Sequence, residues 1–208
     1  MKIPIAGDGF VLIKIFVIFA IASYILTRLH WFFYVVAAVF LFLTIFLLIF
    51  FRDPDRNIIQ DEKLILSPAD GTVINIVKTG GVQTVEIFMS PLNVHVQRAP
   101  VNGTVSSVKY KKGAFLPAYV PKASALNEQN VITIKNNVLA LDVKQIAGVM
   151  VRRIVSYVKE GYTVVQGQRI GMIKFGSQVD ITFPENVDIK VKVKEKAKAG
   201  ITIIGEIK

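Results

Sequence analysis

The sequence predicts a mainly β domain carried behind an N-terminal two-helix transmembrane hairpin. Two long apolar runs open the chain, alternating β-branched segments follow, and Gly and Pro punctuate those segments too closely for long helices. The chain is 52% hydrophobic over 208 residues, but the apolar residues are concentrated at one end.

From Gly9 to Arg28 the only charge before the end is Lys14, and Trp31 to Phe51 carries none. At about 1.5 Å per residue, each run is long enough as a helix to cross a hydrocarbon core of roughly 30 Å. A cleaved secretory leader would not be followed at once by a second run of spanning length. Spans at about 9–28 and 31–51 are therefore expected, making residues 1–51 a hairpin and 52–208 a second domain. Lys14 lies near enough to an end for its stem to carry the ammonium to the interface. Lys2, Arg52 and Arg56 against Arg28 in the turn place the second domain on the cytoplasmic face of the cell membrane.

Residues 52–208 hold 22 Lys and Arg against 14 Asp and Glu, a net charge of +8. A basic domain tethered to a bilayer meets an anionic membrane surface first. Nucleic acid is not expected as a partner, because Tyr110, Phe115, Tyr119 and Tyr157 form no repeated stacking pattern. The absence of cysteine excludes disulfides and thiolate chemistry.

Strands are expected at Thr72 to Val77, Val82 to Phe88, Val94 to Val96, Thr104 to Tyr110, Val131 to Ile134 and Val187 to Val193. Pro68-Ala-Asp-Gly-Thr-Val73 is echoed by Pro100-Val-Asn-Gly-Thr-Val105, each a turn feeding a strand, which suggests related hairpins. Lys159 to Gly171 resembles the glycine-turned strands of biotinyl and lipoyl carriers and other barrel-sandwich hybrids. That resemblance implies fold only. Lys190, Lys192, Lys194, Lys196 and Lys198 recur every second residue, so on a strand they would leave one face, solvated or turned to a membrane.

With no cysteine and only His95 outside the apolar segments, a zinc site cannot gather its usual ligands, and no metal is expected. Gly-x-Ser-x-Gly, phosphate-loop and dinucleotide-binding glycine patterns are also absent. Three short segments remain: Ser67-Pro-Ala-Asp-Gly71, Asn93-Val-His-Val-Gln-Arg98 and Phe175-Gly-Ser-Gln-Val-Asp180. Taken singly, Asp70-Gly71 reads as a hairpin turn, His95 as an ordinary surface or core histidine, and Gly176-Ser177 as a turn before a strand at Val179 to Phe183.

Read jointly they resemble the short form of the phosphatidylserine decarboxylase proenzymes, which includes archaetidylserine decarboxylase-like members. The resemblance extends over nearly all of residues 51–184. It includes Phe51-Arg-Asp-Pro54, Ile87-Phe-Met-Ser90, Asn127-Glu-Gln-Asn130, Ile146-Ala-Gly148 with Arg152-Arg-Ile154, and Arg169-Ile-Gly-Met172, in order and at matching spacing. It implies pyruvoyl-dependent decarboxylation of phosphatidylserine or archaetidylserine to the ethanolamine phospholipid, without pyridoxal phosphate. It further implies that Ser177 attacks the Gly176 carbonyl, with His95 as base and Asp70 orienting the imidazole. The chain would then split into residues 1–176 and 177–208, which stay associated, with Ser177 converted to the pyruvoyl group. Arg152 and Arg153 are candidate contacts for the phosphate or carboxylate of the serine phospholipid. Longer members carry another histidine where this chain has Leu92, so the proton donor after decarboxylation is unassigned. Gln129 and Gln178 stand where arginine is expected in many short-form relatives. The oligomeric state stays open, a homodimer included. The rival reading is a non-enzymatic, membrane-anchored adaptor with a barrel-sandwich domain, which would bring a long heptad-bearing helical hairpin and an uncleaved chain.

Overall fold

The computed structural model describes residues 4–114, 126–148, 153–174 and 177–208. The chain forms two compact units, residues 1–55 and 56–208. In the first, α1 (Phe10–Leu26) and α2 (Phe32–Phe50) are both long and apolar enough, with the turn leading into α1, to cross a membrane. Phe40 stacks on Phe19 at 5.2 Å and meets Phe16 edge-on at 5.8 Å, packing one helix on the other. The hairpin is closed at its open end by backbone pairing, with Ala6 N–H donating to Phe51 O and Asp53 N–H to Pro4 O. Gly9 is required there, because a Cβ would overlap the Phe51 ring.

The second unit is mainly β, as expected. In chain order its strands are β1 (Leu64–Leu66), β2 (Gly71–Thr79), β3 (Val82–Met89), β4 (Val96–Arg98), β5 (Gly103–Lys111), β6 (Gln129–Lys135), β7 (Ala140–Ala147), β8 (Ile154–Ser156), β9 (Thr163–Val164), β10 (Arg169–Ile173), β11 (Ser177–Pro184), β12 (Val187–Ile189), β13 (Lys196–Ala197) and β14 (Ile203–Ile207). They form an eight-stranded sheet in the order β13-β2-β3-β11-β7-β6-β5-β9, with β1-β14-β12 and β4-β10-β8 as smaller sheets. Val85, Ile87, Ile132, Val143, Val179 and Ile181 fill the inner face of the large sheet. The period-2 pattern of β3, β6 and β7 has this cause: one face is dry and the other polar.

The sequence echo is a structural repeat. Gly71 and Gly103 each begin a nine-residue strand, and at each a Cβ would strike the carbonyl oxygen of the facing strand, Phe88 O or Lys135 O. Each strand then slips register at the corresponding place, Val73/Asn75 and Val105/Ser107. Beyond them, β13 caps β2 as β9 caps β5. Asp70 Oδ1 accepts Ala199 N–H at 2.7 Å, and Asn102 Oδ1 accepts Gln166 N–H at 2.7 Å. The left-handed glycines that follow, Gly200 and Gly167, both contact Ile58. The large sheet is thus two matching halves joined where β11 pairs with β7.

Three expectations are corrected. The strand expected at Val94 to Val96 begins only at Val96. Ser177 is already in β11 instead of in a turn before it. The lysine row shares no single face, because β12 stops at Ile189 and a turn with Lys194 at φ 77° precedes the short β13. Lys190 is drawn instead between Asp188 and Glu206, at 2.9 and 2.8 Å.

On the outer face of β11, burial pushes Asp180 up to about 6, with Glu86 adding to the rise and the Gln178 amide and Lys144 opposing it. The folded chain therefore holds more protons than the unfolded one between roughly pH 4 and 6, and stability rises as pH falls through that window. Above it the ionised carboxylate is a standing cost of at most about 3 kcal/mol. Asp180→Asn keeps an acceptor for Gln178 Nε2, which donates to Asp180 Oδ1 at 2.7 Å. The variant should melt above wild type at about pH 8 and lose that advantage near pH 4. Equal shifts at both pH values would contradict this account.

Candidate active site

The sheet register brings the chemistry-bearing residues to one end of the inner face. Ser177 opens β11 and pairs with Met89 on one side and Ala147 on the other. Gln129 pairs with Ile146, which sets Glu128 beside Ala147, and Glu128 O accepts Ala147 N–H at 2.9 Å. Paired residues share a face, so Met89, Ser177, Ala147 and Glu128 form one inward row. The adjacent row holds Gln145 and Asn130. Polar side chains here replace the apolar ones that fill the remainder of this face.

Ser177 is fully buried, and its hydroxyl rests on Met89 Sδ at 3.4 Å. His95, also fully buried, precedes β4. Its Nδ1 lies 2.9 Å from Asn93 O. A carbonyl can only accept, so Nδ1 carries the proton and Nε2 is the basic nitrogen. Asn93 is itself fixed, its Oδ1 accepting both Ser90 N–H and Ser90 Oγ–H at 2.9 Å. The backbone of the Ser90–Asn93 turn thus sets the tautomer.

Asp70 lies just before β2, and its carboxylate is gripped by Arg56 through both oxygens, at 2.7 and 2.9 Å, as well as by Ala199 N–H. Arg56 also donates to Ala199 O at 2.5 Å. Asn102 makes the equivalent backbone hydrogen bond in the other half of the sheet, so the turn itself does not require a negative charge. The charge of Asp70 serves Arg56 and whatever else lies at this end. Gly71, next in sequence, faces β3 beside Met89, so the start of β2 and the start of β11 flank β3 at the same level, about 10 Å apart.

Arg153 is exposed, and its carbonyl accepts Lys174 N–H at 3.4 Å, which ties the start of β8 to the segment leading into Ser177. Glu128 Oε1 takes Ile154 N–H at 3.3 Å, and burial together with the Glu128 carboxylate raises Tyr110. Arg152 and Gly176 lie outside the described residues. Gln178 and Gln129 alternate with the inward residues and face outward, Gln178 toward Asp180 and Glu86. Leu92 is exposed on the turn before His95.

Several residues of this site escaped the sequence reading. Arg56 registered only as a flanking charge. Met89, Gln97 and Gln145 look in sequence like ordinary members of alternating strands. The one available signal was Asn127-Glu-Gln-Asn130, four polar residues in a row just before the strand expected at Val131, and all four are buried. Among the described residues, no group of His, Cys, Asp and Glu could hold a metal ion.

A sequence profile of the phosphatidylserine decarboxylase family matches residues 43–205. A Carboxydothermus hydrogenoformans phosphatidylserine decarboxylase proenzyme is 47% identical over 174 residues, covering 80% of this chain and 82% of that protein. A Methanosarcina mazei protein assigned as an archaetidylserine decarboxylase proenzyme is 48% identical, covering 83% of this chain and 81% of its own length. A Streptomyces avermitilis phosphatidylserine decarboxylase proenzyme is 51% identical over 156 residues, covering 74% and 71%. On this match, across the whole β unit and the site it contains, the chain belongs to the phosphatidylserine decarboxylase family and is a decarboxylase.

Proposed function

We propose that the chain is a self-processing proenzyme that cleaves between Gly176 and Ser177 and then decarboxylates phosphatidylserine or archaetidylserine to the ethanolamine phospholipid. The observation that carries this reading is a serine buried at the first position of a central strand, in the same polar end of the core as a histidine whose basic nitrogen is Nε2.

His95 takes the hydroxyl proton as Ser177 Oγ attacks the Gly176 carbonyl. A negative charge at Asp70 favours the imidazolium that results, the Asn93 carbonyl orients the ring, and Arg56 keeps the Asp70 carboxylate in place. The acyl group moves from nitrogen to oxygen. Elimination of the ester then frees the Gly176 carboxylate and leaves dehydroalanine at 177, which water converts to a pyruvoyl cap with loss of ammonia. The site suits such a cap: the small side chain of Ala147 stands beside position 177, and surrounding burial excludes bulk water. The cap would supply a ketone that condenses with the serine amine and accepts the electrons left when carbon dioxide departs.

The small chain 177–208 would remain bound without a disulfide, since its β11 pairs with β3 and β7, its β13 with β2 and its β14 with β1 of the large chain. Arg153 and Arg152 are proposed as contacts for the lipid phosphate or carboxylate. The apolar hairpin is proposed to hold the enzyme in the cell membrane with its β unit on the cytoplasmic face, where basic side chains meet anionic lipid.

Intact mass of purified full-length protein should show two chains, the smaller blocked at residue 177, and Ser177→Ala should stay uncut and inactive. His95→Ala should lower processing at least about 100-fold. An intact wild-type chain that still decarboxylates would overturn the pyruvoyl reading. Asp70→Asn should fold yet process poorly, because Asn102 shows that an amide satisfies the equivalent turn. Arg56→Met and Asp70→Asn each remove one partner of a buried ion pair and should each be destabilised by about 3 kcal/mol, so cleavage that falls further in Asp70→Asn than in Arg56→Met marks the charge of Asp70 itself. Thermal melts alongside cleavage assays separate the two effects.

A further inference from the structure

A chain of buried amides crosses the core beside Ser177. Asn130 Nδ2 donates to Gln145 Oε1 at 2.8 Å, and Gln145 Nε2 donates to Gln97 Oε1 at 2.8 Å. Gln97 Nε2 ends the chain on two acceptors, His95 O at 2.8 Å and Met89 Sδ at 3.7 Å. Each amide points its donor the same way, toward the residues of the site. Gln97 and Gln145 are fully buried and Asn130 nearly so.

The chain links strands of two different sheets. Asn130 and Gln145 belong to the large sheet, whereas Gln97 belongs to β4 of the small sheet β4-β10-β8. Between them lies Gly171 of β10, where a Cβ would stand 2.7 Å from Gln145 Nε2. Only a residue without a side chain lets the glutamine reach across. Burying three amides is costly unless every donor and acceptor is used, and an apolar trio would fill this volume more simply. A thioether is a weak acceptor, so Met89 orients the Ser177 hydroxyl without holding its proton firmly.

We propose that Gln97, aligned by Gln145 and Asn130, is a positioning residue for self-cleavage: one amide fixes both the sulfur on which the Ser177 hydroxyl rests and the backbone that carries His95. This rests on the self-cleavage reading above. One of its two contacts serves a hydroxyl that exists only before cleavage, so the relay weighs more on maturation than on later turnover.

The test follows cleavage over time by intact mass, after cell-free synthesis of the full chain into phospholipid nanodiscs. Gln97→Leu and Gln145→Leu should each slow cleavage roughly tenfold or more, as small misplacements of reacting groups do. The double variant should be no slower than the slower single, because both break one unit. The isosteric Gln97→Glu keeps the acceptor for Gln145, lacks the amide donor, and should be slow as well. It decides the matter if the leucine variants do not fold. Once cleaved, each variant is assayed for decarboxylation of phosphatidylserine per blocked small chain, and its loss in kcat should be several-fold smaller than its loss in cleavage rate. Cleavage of Gln97→Glu at the wild-type rate would overturn the proposal. So would variants that, once cleaved, are as impaired in turnover as in maturation. A wild-type chain that never cleaves would overturn the self-cleavage reading itself, an outcome distinct from variants that match a cleaving wild type.

Discussion

Strand β11 is hydrogen-bonded along its length to β3 on one side and, through Thr182, to β7 on the other, and most of the site depends on that double ladder. It places Ser177 in register with Met89 and Ala147, and the two-residue period of a strand then decides which face every later residue occupies. Val179, Ile181 and Phe183 go to the core with Ser177, and Gln178, Asp180 and Thr182 go outward. A slip of one residue would turn the serine to the outer face and the aspartate into the apolar core. The same ladder would hold residues 177–208 in the sheet, without a disulfide, if the chain were cut at the head of β11.

The β unit reuses one device twice. A Pro-x-Asx-Gly-Thr-Val turn feeds a bulged strand in each half, and the Asx side chain accepts a backbone N–H from the segment beyond the capping strand. One copy carries Asn102 and packs an ordinary polar turn. The other carries Asp70, gripped by Arg56, and stands across β3 from Ser177. Identical local geometry with a different charge separates what the turn needs to fold from what this end of the sheet adds.

Polar groups in the core are concentrated at the candidate site, around Ser177 and His95. A neutral hydrogen bond contributes on the order of 1 kcal/mol net, while an unsatisfied buried donor or acceptor costs about 1–3. The amides of Asn130, Gln145 and Gln97 are therefore tolerable only as a complete chain, each donor ending on a partner. That requirement makes the end of the core stiff. It also joins the sheet that carries Ser177 to the strand that carries His95.

The sequence by itself determined the apolar helical hairpin, the mainly β character of the second unit, and the repeat at Asp70 and Asn102. These depend on run length, two-residue alternation and turn chemistry, all of which are local. It also determined the family, through ordered motifs that include Asn93-Val-His-Val96 and Phe175-Gly-Ser177. Only the tertiary structure decided that Asp70 is held by Arg56, that Asn93 O sets the His95 tautomer, that the Ser177 hydroxyl rests on Met89, and that the lysine row is broken by a turn. Each of these joins residues from different strands, and register and sheet order, which no local pattern encodes, determine which side chains meet. Gln97 and Gln145 show the limit most clearly: in sequence they are two polar residues 48 positions apart, and in the fold they share a 2.8 Å hydrogen bond because Gly171 leaves room for it.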